Sequence, residues 1–292
     1  MRWWHEFASD IERDVPLGKM TWFRLGGRAR YLFRPRDVAS LAQFAVRARN
    51  EDIPVKVLGA GANVLIKDDG VDGVVVRLDR PAFRTTEHQG SRVVAGSGVD
   101  LMPFARECSH RGLAGLECLA GVPATIGGAV KMNAGGRWGE IGDVVSEIEV
   151  LGADGTIETW PRERIGFAYR QTRIDEVIVL SATLLLREDD PQCTRKKYDE
   201  IFECKKRTQP IRDKSAGCIF KNPGGRSAGA IIDEAGLKGF RCGNASVSQR
   251  HANFIVTRRG ATSSDVMRLI DVIRRRVCKM FGIELHVEVD IW

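Results

Sequence analysis

Glycine clusters twice in this chain, in patterns that a packed core does not need. The longer cluster is GLECLAGVPATIGGAVKMNAGG, residues 115–136, where Gly121, Gly127, Gly128, Gly135 and Gly136 crowd together with Asn133 among them. Each glycine costs backbone entropy, so a purely structural loop rarely needs so many. The shorter cluster is GAGAN, residues 59–63, directly after the strand-like VKVL (55–58). A glycine loop after a strand invites comparison with the dinucleotide fingerprint G-x-G-x-x-G. The comparison fails, because Val64 stands where the third glycine belongs and the chain continues as a strand, not a helix. Gly59 and Gly61 still let backbone N–H groups approach an anion, and Asn63 adds a side-chain donor. By itself GAGAN also reads as a tight strand–strand turn. Two cradles together point to a long, phosphate-bearing ligand gripped at several places. A flavin dinucleotide fits; a nicotinamide nucleotide in a Rossmann fold does not.

The surrounding pattern mixes strands and helices. RARYLFR (28–34) alternates like a strand, and Asp37 caps a helix whose face carries Val38, Leu41, Ala42, Ala45 and Ala48. VKVL reads as a short buried strand and GVVVRL (73–78) as another. LMPFARECSHRG reads as a helix closed by Gly112, and SEIEVL, IETW and VIVLSATLLL as strands, the last long enough to be central. A basic helical stretch begins near residue 195. A helix from Ser227 to Ala235 ends at Gly236, and NFIVT (253–257) reads as a strand. Thr262 to Asp265 forms a capping box for a helix with Val266, Ile270, Ile273 and Val277 on one face. The final IELHVEVDI alternates as a strand does.

With 292 residues, 43% of them hydrophobic and 28% charged, the chain reads as a soluble protein of two or three domains. Composition breaks near 190–195 and, more softly, near 79–91. There is no apolar run of about 18 residues to span a membrane. MRWWHEFASDIERD is too broken by charge for a signal peptide, so a cytoplasmic location is the expectation. Seven scattered cysteines without CxxC spacing speak against a disulfide framework or a zinc ribbon, and five unpaired histidines give no metal site. The net charge of +7 gathers at 195–207 and 274–276. Those runs read as solvated helix faces or as steering for phosphorylated small molecules. No nucleic-acid module accompanies them.

One cysteine has unusual neighbours. In DKSAGCIFKNPGG (213–225), Cys218 follows a glycine and precedes Lys221 and Asn222. A free cysteine is most often a small buried hydrophobe, and composition alone favours that reading here.

GAGANVLI, GLAGLECLAGVPATIGGAVKMNAGG, YRQTR, GCIFKNPGG, IIDEAGLKGFRCGNASVSQRHANFIV and LHVEV occur in this order. Together they closely resemble the UDP-N-acetylenolpyruvoylglucosamine reductases of bacterial peptidoglycan synthesis, from about Thr21 onward. The resemblance implies an α+β chain. Two N-terminal subdomains, 1–80 and 81–194, would form an FAD-binding fold of the vanillyl-alcohol-oxidase (PCMH) type. A C-terminal α/β domain, 195–292, would bind substrate. It implies that NADPH reduces FAD, that the flavin passes hydride to C3 of UDP-N-acetylglucosamine enolpyruvate, and that a protein acid protonates C2 to give UDP-N-acetylmuramate.

By matching positions, Gly59, Ala60, Gly61, Ala62 and Asn63 would cradle the flavin diphosphate. Gly121, Thr125, Gly127, Gly128 and Asn133 would form the second flavin loop. Arg170 matches the family's arginine and Glu288 its glutamate. Cys218 stands where the acid is usually serine, and Lys221 and Asn222 resemble substrate contacts. The short chain resembles the family's compact second type, acting as a monomer with no metal, nucleic-acid or membrane partner. Two departures stand out: AGGRWGE, with Arg137 and Trp138 where a small residue and tyrosine are usual, and GAGAN in place of the more frequent GGGSN.

The residue types suit the implied chemistry. Hydride addition at C3 drives negative charge onto the carboxylate, which Arg170 can grip with a permanently charged fork. Glu288 beside a developing anion must be protonated or hydrogen-bonded, which burial favours. Its alternation places it on a polar face that meets either solvent or a site. A thiol with a pKa of about 8.5 is mostly protonated at neutral pH and can donate. Another FAD-dependent oxidoreductase of this fold, acting on a small alcohol or hydroxy acid, is the alternative. A binding protein that has lost activity is a third reading.

Overall fold

The computed structural model describes residues 3–292. The chain divides into two compact units. The first holds the residues up to Asp14, Arg30–Ala60 and Asp72–Glu203; the second holds Val15–Ala29, Gly61–Val71 and Cys204–Trp292.

The first unit has two cores. One lies under a four-stranded sheet in the order Ile11–Pro16, Arg28–Phe33, Val71–Val76, Val55–Val57. Helix α1 (Val38–Asn50) starts where the Asp37 carboxylate accepts the Ser40 N–H at 2.7 Å. It buries Leu41, Phe44, Ala45 and Ala48, and the Phe44 and Phe33 rings sit 4.5 Å apart. The 55–57 strand, expected to be buried, is instead a sheet edge with Val57 42% exposed. Two valines flanking Lys56 do not distinguish an edge from a centre, because both favour β-branched residues.

The other core backs a five-stranded antiparallel sheet in the order Ile157–Pro161, Val145–Gly152, Val177–Leu185, Arg92–Gly96, Thr86–Gln89. Val177–Leu185 is its central strand, as its length predicts. Helix α2 (Leu101–His110) runs to Gly112 at φ +74°. Its Cys108 is fully buried, and that burial, then Glu107, pushes the thiol pKa up to about 12. Helix α3 (Ile126–Lys131) opens where the Thr125 hydroxyl accepts the Gly128 N–H. After the short α4 (Arg162–Ile165), helix α5 (Pro191–Thr208) carries the first basic run.

In the second unit, α6 (Ala228–Glu234) is capped by Ser227 and followed by Gly236 at φ +69°. Helix α7 (Ser263–Phe281) has the reciprocal Thr262/Asp265 capping box and buries Val266, Leu269, Ile270, Ile273 and Val277. Asp68 adds a distant cap, accepting the Ser263 and Ser264 N–H groups at 2.8 and 3.0 Å. A three-stranded sheet orders Arg241–Cys242, Ala245–Val247, Ile255–Thr257. The C-terminal alternation holds in burial, with Leu285 and Val289 inside and Glu284 and His286 exposed. Only Asp290–Ile291 forms a regular strand, parallel to Val64–Leu65. The residues before it are extended but pair through a single bridge, Phe220 with Val287. Among the described residues no helix is long and apolar enough to cross a membrane.

Candidate active site

In the first unit the two glycine loops adjoin. A Cβ on Gly59 would stand 2.7 Å from the Thr125 hydroxyl, and one on Gly127 would stand 2.9 Å from the Ser97 Cβ. Neither position has room for a side chain: Gly59 lets the first loop close on the second, and Gly127 lets α3 pack against Ser97, just after the Arg92–Gly96 strand. Gly59, Ala60, Gly121, Thr125, Gly127 and Gly128 all remain partly open to solvent. At Gly128 a Cβ would meet only the Thr125 hydroxyl, at 3.3 Å. Exposed, side-chain-free backbone on two touching loops fits the requirement for holding a flavin dinucleotide. Asn133 is different: it is fully buried, and each end of its amide bonds protein backbone.

Arg170 sits in the same unit, at the tip of a tight turn. Ala168 and Gln171 exchange backbone hydrogen bonds of 3.0 and 3.1 Å, leaving Tyr169 and Arg170 as the two turn residues. Arg170 is half-buried and adopts φ +56°, left-handed backbone that costs a non-glycine residue about 1 kcal/mol or more.

In the second unit Gly61, at φ +67°, lies against the Met20 backbone and accepts the Trp22 N–H at 3.0 Å. Ala62 and Asn63 follow, half-buried, and the Asn63 side chain donates to the Glu288 carbonyl at 3.2 Å. Glu288 N–H donates to the Ile219 carbonyl at 2.7 Å, and Lys221 N–H to the His286 carbonyl at 2.8 Å. Cys218 and Lys221 thereby lie on a segment paired with that of Glu288, and Asn63 joins from a third. Cys218 is half-buried, whereas Ile219 and Phe220 after it are both buried. The Asn222 side chain accepts the Ala228 N–H at 2.9 Å, holding the start of α6.

One supporting residue escaped sequence reasoning. Asn253, 3% exposed, accepts the Phe220 N–H at 3.0 Å and donates to the Phe220 carbonyl at 2.8 Å. Its own carbonyl accepts the Ile219 N–H at 2.9 Å, and Cys218 bridges Phe254 next to it. The HANF motif contained it, but nothing local shows that a buried amide clamps a segment so far away in sequence.

His251 Nδ1 in turn accepts the Asn253 N–H at 3.2 Å. Burial, then Lys238, holds this imidazole below its ordinary pKa. A folded pKa below the unfolded one means that the stabilisation is full above about pH 6.5 and is lost as pH falls through the lower folded value. We expect the urea midpoint to fall more steeply below about pH 6.5 for the native chain than for His251→Gln. Parallel profiles would remove His251 from the acid response.

All seven cysteines are free thiols. Among the described residues no group of three or more His, Cys, Asp and Glu side chains is arranged to hold a metal ion.

Residues 29–160 match the FAD binding domain family, which makes the chain an FAD-type flavoprotein by its first half. Residues 209–292 match the C-terminal domain of UDP-N-acetylenolpyruvoylglucosamine reductase. A reductase of that name from Heliobacterium modesticaldum is 40% identical over 98% of this chain and 92% of its own length. The Rickettsia conorii reductase is 36% identical over 96% and 95%. The crystal structure of the Thermus caldophilus enzyme superposes with a TM-score of 0.85 at 38% identity, over 97% of this chain and 98% of that one. The chain belongs to the UDP-N-acetylenolpyruvoylglucosamine reductase family. Its α+β architecture, an FAD-binding domain followed by the family's C-terminal domain, is the one the sequence leads one to expect.

Proposed function

We propose that this chain is an NADP-dependent, FAD-containing UDP-N-acetylmuramate dehydrogenase of peptidoglycan synthesis. It reduces UDP-N-acetylglucosamine enolpyruvate to UDP-N-acetylmuramate in the cytoplasm, as a monomer. Residues 1–80 and 81–194 serve the flavin and 195–292 the substrate. The observation that carries the reading is the hydrogen-bonded alignment of the Cys218–Lys221 segment with Glu288, itself tied to Asn63 of the first glycine loop.

FAD supplies the two-electron carrier that accepts hydride from NADPH and delivers it to C3. The protein's residues do the rest. Gly59, Ala60, Gly61, Ala62 and Asn63, with Gly121, Thr125, Gly127 and Gly128, offer backbone donors and close approach to the cofactor's phosphates. Hydride arrival at C3 leaves an electron pair shared between C2 and the carboxylate. The Arg170 guanidinium neutralises the charge on those oxygens, and Glu288 supports the same charge through a hydrogen bond from its protonated form. The Cys218 S–H bond then breaks as the new C2–H bond forms, and the thiolate recovers a proton from water. Lys221 and Asn222 hold the anionic, nucleotide-bearing end of the substrate.

The test is spectroscopic. The purified protein is expected to be yellow, to bleach anaerobically on adding NADPH, and to recolour on adding the enolpyruvyl substrate. Failure of NADPH to bleach it, or bleaching by a simple alcohol or hydroxy acid instead, would overturn the assignment.

A further inference from the structure

Asn133 ends the second glycine loop, yet its side chain turns inward. It is 0% exposed and adopts φ +45°, which asparagine tolerates better than most residues. Its Oδ1 accepts the Gly142 N–H at 3.1 Å, and its Nδ2 donates to the Ala168 carbonyl at 2.9 Å. Gly142 makes the first bond possible, since a Cβ there would lie 2.8 Å from that oxygen. Ala168 is the residue that closes the Tyr169–Arg170 turn against Gln171. On the other arm of the turn, the Thr172 hydroxyl donates to the Lys131 carbonyl at 2.8 Å. The turn is therefore tied on both sides to the C-terminal end of α3 and the residues just after it.

We propose that Asn133 is a positioning residue for the Arg170 guanidinium and does not itself touch the flavin. The proposal rests on the reading of Arg170 as the carboxylate clamp. A side chain with no exposed surface offers nothing to a cofactor. A two-residue turn with a left-handed arginine persists only where its surroundings over-determine it, and the two tethers do so. An amide suits the place because it both accepts and donates, which a hydroxyl or carboxylate cannot do with the same spread. The tethers also fix the arginine turn to α3, whose first turn holds Gly127 and Gly128. The loop expected to meet the flavin and the group expected to hold the substrate carboxylate thus move as one piece. Orientation of this kind is where a displacement of about 1 Å costs roughly 100-fold in rate.

The experiment uses Asn133→Gly, which accepts the backbone angle, and Thr172→Val, a milder cut of the second tether. Each is made with Arg170 intact and with Arg170→Ala. Three quantities are measured: the FAD dissociation constant of the apoprotein, the dissociation constant of UDP-N-acetylmuramate by calorimetry, and the rate of recolouring by substrate. With Arg170 present, Asn133→Gly is expected to weaken product binding and slow recolouring by roughly 10–100-fold. Thr172→Val is expected to do the same by about 2–5-fold, as the loss of one hydrogen bond implies. FAD binding stays within about 2-fold, and neither change adds more than about 2-fold once Arg170→Ala is in place, as residues acting through one group require. A loss that persists in the Arg170→Ala background, or a tenfold weaker grip on FAD, overturns the proposal. If Asn133→Gly does not fold, Thr172→Val decides by the same comparison. If Arg170→Ala itself leaves product binding and recolouring unchanged, the carboxylate-clamp reading fails first and takes this one with it.

Discussion

Cys218→Ala takes up FAD and is bleached by NADPH as the native protein is, but substrate no longer restores its colour at the native rate. That is the expected outcome if the thiol delivers the proton to C2 and does nothing in the first half of the cycle. General acids are commonly worth about 10²- to 10⁴-fold, so the recolouring rate should fall by that order. The change is sterically mild: Cys218 is only half-buried, and the nearby backbone bonds of Ile219 and Phe220 are held by Asn253. Cys108 shows the contrasting fate of a thiol in this fold, fully buried with its pKa raised to about 12. Cys218→Ser keeps the proton donor but with a weaker acid, and partial turnover is expected. Normal recolouring in the alanine variant would show that the proton comes from elsewhere.

Arg170→Lys is expected to lose about 10²- to 10³-fold in kcat/KM for the enolpyruvyl substrate, the scale set by removing one preorganised donor from a developing oxyanion. Lysine keeps the charge but not the planar fork. The turn makes the difference larger, because a backbone at φ +56° aims a rigid guanidinium from a fixed base. A flexible ammonium on the same base samples many positions. NADPH-driven bleaching, measured alone, separates this loss from damage to the flavin site. An unchanged rate would contradict the assigned role.

The elements that could be read from the sequence are those with local grammar. Asp37, Ser227 and the Thr262/Asp265 pair announced helix starts because a cap is a short-range hydrogen bond between near neighbours. Val266, Ile270, Ile273 and Val277 announced a buried face through their period. The residues proposed for the chemistry could be named for another reason: Cys218, Lys221 and Asn222 stand in one contiguous motif, and Arg170 and Glu288 in two more. What stayed hidden depends on partners far along the chain. Nothing near Asn133 reveals that its amide faces Ala168, or near Asn253 that it faces Phe220. The exposure of Val57 depends on which strand lies beside it, and the recruitment of Val15–Ala29 and Gly61–Val71 into the C-terminal unit depends on tertiary pairing alone.

The pairing of Val64–Leu65 with Asp290–Ile291 also sets a timetable for synthesis. The bond from Asn63 to Glu288 joins residues 225 positions apart. At translation speeds of about 5–20 residues per second, roughly 10–45 s separate the emergence of the two partners. Throughout that interval the first glycine loop has left the ribosome while the segment that anchors it does not yet exist. A nascent chain halted before residue 288 would therefore present Val64 and Leu65 as an unpaired apolar edge, a natural target for a chaperone.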